Sequence, residues 1–357
     1  ILSVTLTNSG SAPLNISSIS TTNDFIETNN CSETLPAGGN CIFDIQFAPV
    51  TTGDITGRLT VNSDAVNSSE FVRLFGTGTS VKDNQTAASQ ATTDPSTVDY
   101  DSPGIVFYND LNNEDRHTYT KTDLKTYWGL TYPPSPRGAV DVVRDPDSSG
   151  THNNVLRVFY AADYYGKRGG SGAQWPVKFP GHNELYLAYD VYFEDDAEFV
   201  KGGKLPRLQS INWSGGSGGV PDGTDRWTAG LMWQENGKLA SYVYHANMGG
   251  NYGDTRFWNH GANGQVYLQP GKWHRIEMRV VLNTPGKLNG RLQGWLDGKL
   301  AFDSSEFMWR MPGGEHLTIG EAQFVTFYGG GNSSFAPSTD QHIYFDNFIV
   351  STRPVTH

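Results

Sequence analysis

The sequence predicts an all-β protein of two domains, and three observations carry that expectation. The 357 residues exceed one small core and suffice for two. Gly (41) and Pro (18) are abundant among many Thr, Ser, Asn and Val, which suits short strands joined by tight turns. Apolar residues recur with a period of two in short segments such as Ile1-Leu2-Ser3-Val4-Thr5-Leu6, and no convincing amphipathic helix is found.

In the first 80 residues, alternating segments at 4–6, 42–47, 58–61 and 71–75 are broken by Asn-Ser-Gly, Pro-Ala-Gly-Gly and Thr-Thr-Gly turns, the pattern of a small sandwich. The only two cysteines, Cys31 and Cys41, flank the turn Leu35-Pro36-Ala37-Gly38-Gly39. They are either bridged across that turn or two reduced, buried thiols; the Cys-poor composition favours the bridge, and with it secretion or a cell-surface location. Seven acidic and two basic side chains, without clustered His or paired catalytic types, give this module a spacer or adhesion role rather than chemistry.

Residues 81–103 are Ser, Thr, Asp, Asn, Gln and Ala without apolar periodicity, and read as a linker. Residues 104–357 form the second domain. It holds almost all of the 9 Trp and 17 Tyr, with strands expected at 185–193, 231–233, 274–282, 291–295 and 343–350. Ile1 opens directly in a strand pattern, so further domains of the same chain are expected upstream.

The net charge of −11 argues against nucleic-acid binding, which needs a basic face. No run of about 18 apolar residues occurs, so no helical membrane insertion is expected. The nine His are scattered, with His117, His152, His182 and His274 standing alone, so no metal site and no cofactor is expected; structural Ca²⁺ is left open, without a recognisable ligand spacing.

One segment points to chemistry. Lys201-Gly202-Gly203-Lys204-Leu205-Pro206-Arg207-Leu208 places three cations within seven positions of an acidic protein, which suits an anionic ligand. Taken alone, such a cluster is more often a solvated turn. Tyr242 and Tyr244 share one face of a strand, as do Thr228 and Gly230.

Two resemblances follow from these motifs. The first module, through Thr7-Asn8-Ser9-Gly10-Ser11-Ala12-Pro13-Leu14, Phe47-Ala48-Pro49 and Leu74-Phe75-Gly76-Thr77-Gly78, resembles Hydin-type (choice-of-anchor D) immunoglobulin-like domains. The second resembles polysaccharide lyase family 14 and the related glucuronan lyases. It does so through Lys-Gly-Gly-Lys-Leu-Pro, Thr228-Ala229-Gly230-Leu231-Met232-Trp233, Tyr242-Val243-Tyr244, Pro270-Gly271-Lys272-Trp273, Phe327-Tyr328-Gly329-Gly330 and Phe345-Asp346-Asn347-Phe348.

That resemblance implies a concanavalin-like β-jelly roll acting on a uronic-acid polymer such as alginate by β-elimination. It implies catalytic roles for Lys204, Tyr242 and Tyr244 and a substrate-binding role for Thr228. Elimination removes the C5 proton of a uronate and expels the 4-linked oxygen, so the site must supply a base, an acid and a charge partner for the carboxylate. Lys204 is expected to favour a tyrosine phenolate as base.

The sequence departs from the family pattern at two places: Arg207 stands where Gly is usual, and Gly230 where the family places Arg. Arg207 or Arg226 is expected to supply the missing charge, with Lys201 and His245 at the cleft edge.

Two rival functions remain open. Glu194-Asp195-Asp196-Ala197-Glu198 has the carboxylate spacing of some jelly-roll glycoside hydrolases, although an acidic turn fits its composition better. A non-catalytic carbohydrate-binding or adhesion module on the lyase fold is the other.

Overall fold

The computed structural model describes residues 2–22, 24–49, 53–65, 68, 70–78, 104–112, 114–136, 139–147, 152–166, 171–211, 218–260 and 264–355. The expected linker, residues 81–103, lies outside them. The chain divides into two compact units, Ile1–Ile105 and Val106–His357.

The first unit is a sandwich of two antiparallel sheets. One has the order β1 (Leu2–Thr7), β5 (Asn40–Phe47), β3 (Phe25–Asn29). The other has the order β4 (Thr34–Leu35), β2 (Leu14–Thr21), β6 (Gly53–Ser63), β7 (Glu70–Gly78). In β5 the period of two is complete: Cys41, Phe43 and Ile45 are buried, while Asn40, Ile42, Asp44 and Gln46 between them are exposed. They meet Phe25, Leu35, Leu59, Val61 and Leu74 in one small core.

Buried Asn8, in the Asn-Ser-Gly turn, fastens that turn. Its amide donates to the carbonyls of Ala12, Leu35 and Pro36 at 2.8, 3.0 and 3.2 Å, and its oxygen accepts from the Gly10 N–H at 3.0 Å. Cys31 and Cys41 are bridged, and no free cysteine remains.

The second unit packs an eight-stranded antiparallel sheet against a six-stranded one. The eight-stranded sheet runs β19 (Lys299–Phe307), β18 (Gly290–Leu296), β17 (Trp273–Val281), β12 (Glu184–Phe193), β21 (Gln341–Ser351), β10 (Asn154–Tyr160), β9 (Val140–Arg144), with β8 (Ile105–Asn109) also on β21. The six-stranded sheet runs β11 (Ala173–His182), β20 (Ile319–Tyr328), β13 (Gly202–Ser210), β14 (Thr228–Gln234), β15 (Leu239–Tyr244), β16 (Asp254–Phe257). One continuous core lies between them, in which Trp175, Trp227, Trp233, Trp258 and Trp309 are fully buried. This is the jelly roll expected from the sequence.

Among the described residues lies one α-helix, α1 (Lys121–Trp128), where the sequence offered no convincing amphipathic segment. Its signals are local: Thr120 and Asp123 form a capping box, and Gly129 closes the end at φ 68°. It buries only Leu124 and Trp128, too short an apolar stripe to register as periodicity. No helix among the described residues is long and apolar enough to cross a membrane.

Labelling of the denatured, unreduced chain should therefore find no free thiol. Replacing Cys31 and Cys41 together by Ser should destabilise the first unit by about 2–4 kcal/mol in denaturant unfolding. A labelled thiol, or an unmoved midpoint, would remove the bridge from this account.

Candidate active site

The six-stranded sheet has two faces of opposite character. Leu205, Leu208, Ala229, Leu231, Trp233, Val243, Ala322 and Phe324 turn into the core. The alternating positions, turned away from it, are Lys204, Arg207, Gln209, Thr228, Gly230, Met232, Tyr242, Tyr244, Glu321 and Gln323.

A register shift in β13 makes this set possible. Leu205 pairs with Leu231, but the next pair is Leu208 with Ala229, so β13 advances three residues while β14 advances two. That is a β-bulge, and it contains Pro206, which has no N–H to give a ladder. Without the extra residue Lys204 and Arg207 would face opposite sides; with it they share one.

The two glycines before Lys204 set how closely β13 lies on its neighbour. Gly202 has φ +123°, and a Cβ there would lie 2.4 Å from the Trp233 carbonyl. A Cβ on Gly203 would lie 2.0 Å from the Trp233 ring and 2.6 Å from the Phe327 carbonyl. No other residue fits either position unchanged.

Lys204 Nζ sits 3.3 Å from the centroid of the Tyr242 ring and donates to Met232 Sδ at 3.0 Å. Burial, with the Arg207 charge adding to it, holds its ammonium well below the ordinary lysine range. The Tyr242 and Tyr244 hydroxyls are 3.3 Å apart, and Tyr244 Oη accepts from the Gly218 N–H at 3.4 Å. Burial first, then the bond to Tyr244, pushes the Tyr242 hydroxyl well above the ordinary tyrosine range.

The expectation that Lys204 stabilises a phenolate is thus corrected. Its amine lies over the ring face and not at the oxygen, so Tyr242 keeps its proton.

Arg207 donates from Nε to Gln209 Oε1 at 2.9 Å, and from a terminal nitrogen to Gln323 Oε1. Gln209 in turn donates to Glu321 Oε1 at 2.5 Å. Burial lowers Arg207 to about 10, against the opposing pull of Glu321 and Tyr244, so the guanidinium stays charged at neutral pH. Burial also raises the Glu321 carboxyl above its usual range.

A Cβ on Gly230 would stand 3.7 Å from Arg207 Cδ and 3.9 Å from its Cβ. The Arg207 side chain therefore lies across the space that Gly230 leaves on β14.

The remaining expected site residues are placed as follows. Thr228 is buried, paired with Tyr244 across β14 and β15. Arg226 pairs with Asp225 and reaches the Gly219 carbonyl at 3.5 Å, beside the Gly218 that meets Tyr244. Lys201 is exposed, on Ser334 Oγ at 3.0 Å and 5.9 Å from the Phe335 ring centroid.

His245 does not join the cleft, which is a correction. It is fully buried on the core side, edge-on to Phe307 and Trp309, with Nε2 3.0 Å from Asp254 Oδ2. The odd offset from Tyr242 and Tyr244 accounts for it, since no bulge intervenes in β15.

Glu194 and Glu198 are occupied structurally, after β12 of the other sheet. Glu194 accepts from Tyr344 Oη at 2.7 Å, and Glu198 from Ser338 and Thr339, including their N–H groups at 3.0 and 2.9 Å. Among the described residues no group of three or more His, Cys, Asp or Glu is arranged to hold a metal.

Sequence reasoning missed Met232, Gln209, Glu321 and Gln323. The last two were visible as polar alternation in the β20 segment Glu321-Ala322-Gln323-Phe324.

Comparison with solved structures gives the same jelly-roll fold. A variant of alginate lyase Aly36B in complex with an alginate trisaccharide aligns over 71% of this chain and 99% of its own, at 20% identity and TM-score 0.57. The PL-14 alginate lyase of Aplysia kurodai aligns over 70% and 99%, at 23% identity and TM-score 0.55. The alginate lyase of a Chlorella virus aligns over 67% and 100%, at 20% identity and TM-score 0.51. No curated protein matches the chain. Residues 148–348 match the model of the family Polysaccharide lyase 14, more than half of the sequence, and the chain belongs to that family.

Gly203→Ala should lower the thermal midpoint, because overpacking a full core costs roughly 1–3 kcal/mol. An unshifted calorimetric transition would show that β13 does not lie against Trp233 as described.

Proposed function

We propose that the second domain cleaves a uronate-containing polysaccharide, alginate or a similar polymer, by β-elimination. The observation that carries this is the pair of titratable groups driven apart on one face. Lys204 is pushed toward its neutral amine and Tyr242 toward its neutral phenol, with the permanent charge of Arg207 beside them. Groups whose environments separate their pKa values in this way suit base and acid roles.

Lys204 Nζ takes the C5 proton of the uronate. Arg207 pairs with the carboxylate as it gains enolate-like charge, a term often worth 10²–10³ in rate. The C4–O4 bond then breaks, the electron pair of the former C5–H bond becomes the C4–C5 double bond, and the leaving oxygen takes a proton from the Tyr242–Tyr244 hydroxyl pair. Thr228, Arg226 and Lys201 serve substrate binding around this centre.

Family membership and the alginate-bound relative support the reaction class. The Cys31–Cys41 bridge supports an oxidising, secreted or cell-surface setting. A Hydin-type immunoglobulin-like spacer is the proposed role of the first unit.

Incubated with alginate, polyguluronate, polymannuronate and glucuronan, the protein should generate the ultraviolet absorbance of a C4–C5 double bond without saturated reducing ends. Lys204→Ala should lower kcat by roughly 10²–10⁴. Tyr244→Phe should lose the absorbance while polymer binding survives. Binding without absorbance from any polymer would leave a carbohydrate-binding module instead, and saturated ends would mean a hydrolase.

The pH profile gives a further check with a defined sign. Only the neutral amine of Lys204 accepts a proton, so kcat/KM should rise as pH passes its depressed pKa and then hold until Tyr242 ionises above the ordinary tyrosine range. An acid limb at the ordinary lysine value would exclude Lys204 as the base.

A further inference from the structure

Beside the Arg207 cluster, on the same face of the sheet, lies a cavity of about 510 Å³. That is within the ~300–1,000 Å³ of small-molecule sites. One wall is Tyr132, Pro133, Pro134 and Pro136; the floor is Gln174 and Gln323. The wall precedes the 148–348 range matched by the family model.

Four features equip the cavity for a sugar. The Tyr132 ring is 92% exposed, free to lie on the C–H face of a pyranose. Three proline rings extend that apolar surface. Gln174 Oε1 is buried yet has no hydrogen-bond partner, which is costly unless a ligand or water donates to it. Gln323, 6% exposed, carries its own amide between the cavity and the Arg207 guanidinium.

The register confirms a shared face. Gln174 stands opposite Val325 and Pro176 opposite Gln323 in the β11–β20 ladder, and Gln323 stands opposite Arg207 in the next.

We propose that this cavity is a further sugar-binding subsite, taking a pyranose unit of the polymer that adjoins the unit held at Arg207. A ring hydroxyl donates to Gln174 Oε1, and the hydrophobic face of the ring packs on Tyr132 and the prolines. The polymer therefore crosses the strands from the Tyr242–Tyr244 pair over β13 and β20 to β11. The proposal rests on the lyase function above for the identity of the polymer, and on the cavity itself for the site.

The test uses the intact chain, Tyr132→Ala and Gln174→Ala, with a graded series of oligouronates from dimer to octamer. Cleavage is followed by absorbance and binding by calorimetry. In the intact chain, kcat/KM and affinity should step up at the length that first fills the cavity. Each variant should lose that step, by about tenfold, the effect of one good contact of ~1.4 kcal/mol.

Tyr132 is exposed, so its variant tests the contact without endangering the fold. Cleavage in which both variants keep the step would overturn the subsite and leave the lyase function standing. Binding that shows the step and loses it in the variants, without any absorbance, would uphold the subsite and remove the lyase function. Absence of both binding and cleavage would remove both.

Discussion

The bulge at Pro206 is the constraint on which the site depends. A β-strand offers its side chains alternately to two faces, and in β13 one face is committed to the core by Leu205 and Leu208. Those two leucines are three apart, so regular alternation would drive one of them out of the core. One unpaired residue reconciles them, and the same slip carries Arg207 round to join Lys204. Pro206 is at home there because the bulge asks for no ladder N–H. The core packing and the cation pair are thus two consequences of one irregularity.

Electrostatics then divide the roles of the two cations. Both lose hydration on entering the sheet face, but a guanidinium starts from a far higher intrinsic pKa and keeps its proton, whereas an ammonium gives way. The partners reinforce the split. Arg207 is held by two amide oxygens, and Lys204 meets a thioether and a ring face. The Glu321 carboxyl is bonded to Gln209, the amide that also accepts from Arg207, and is itself pushed up by burial.

Much of this was legible in the residues, for reasons that differ from element to element. The all-β class and the sandwich followed from alternation and turn chemistry, which are local, and the jelly roll from the family resemblance. The shared face of Tyr242 and Tyr244 followed from a period of two, because β15 is regular. The same counting puts His245 on the opposite face, against its expected place at the cleft edge. Arg207 could not be positioned by counting, since the bulge inverts the parity, although a proline inside a central strand was its visible sign. Helix α1 was hidden because its evidence lies in caps rather than in an apolar stripe. Gln209, Glu321 and Gln323 come from strands far apart in sequence, and only the pairing of β13 with β20 brings them together.

Positions 207 and 230 depart together from the family pattern, an arginine replacing the usual glycine and a glycine replacing the arginine. The family resemblance expects an arginine on β14, and here one on β13 lies beside the same position, its Cδ 3.7 Å from where a Gly230 Cβ would stand. The guanidinium that arrives from this side is tied to Gln323, and so to the strand that borders the Tyr132 cavity. Its position therefore cannot be adjusted independently of that cavity. A substitution that moves Gln323 alters the Arg207 guanidinium and the neighbouring wall at once.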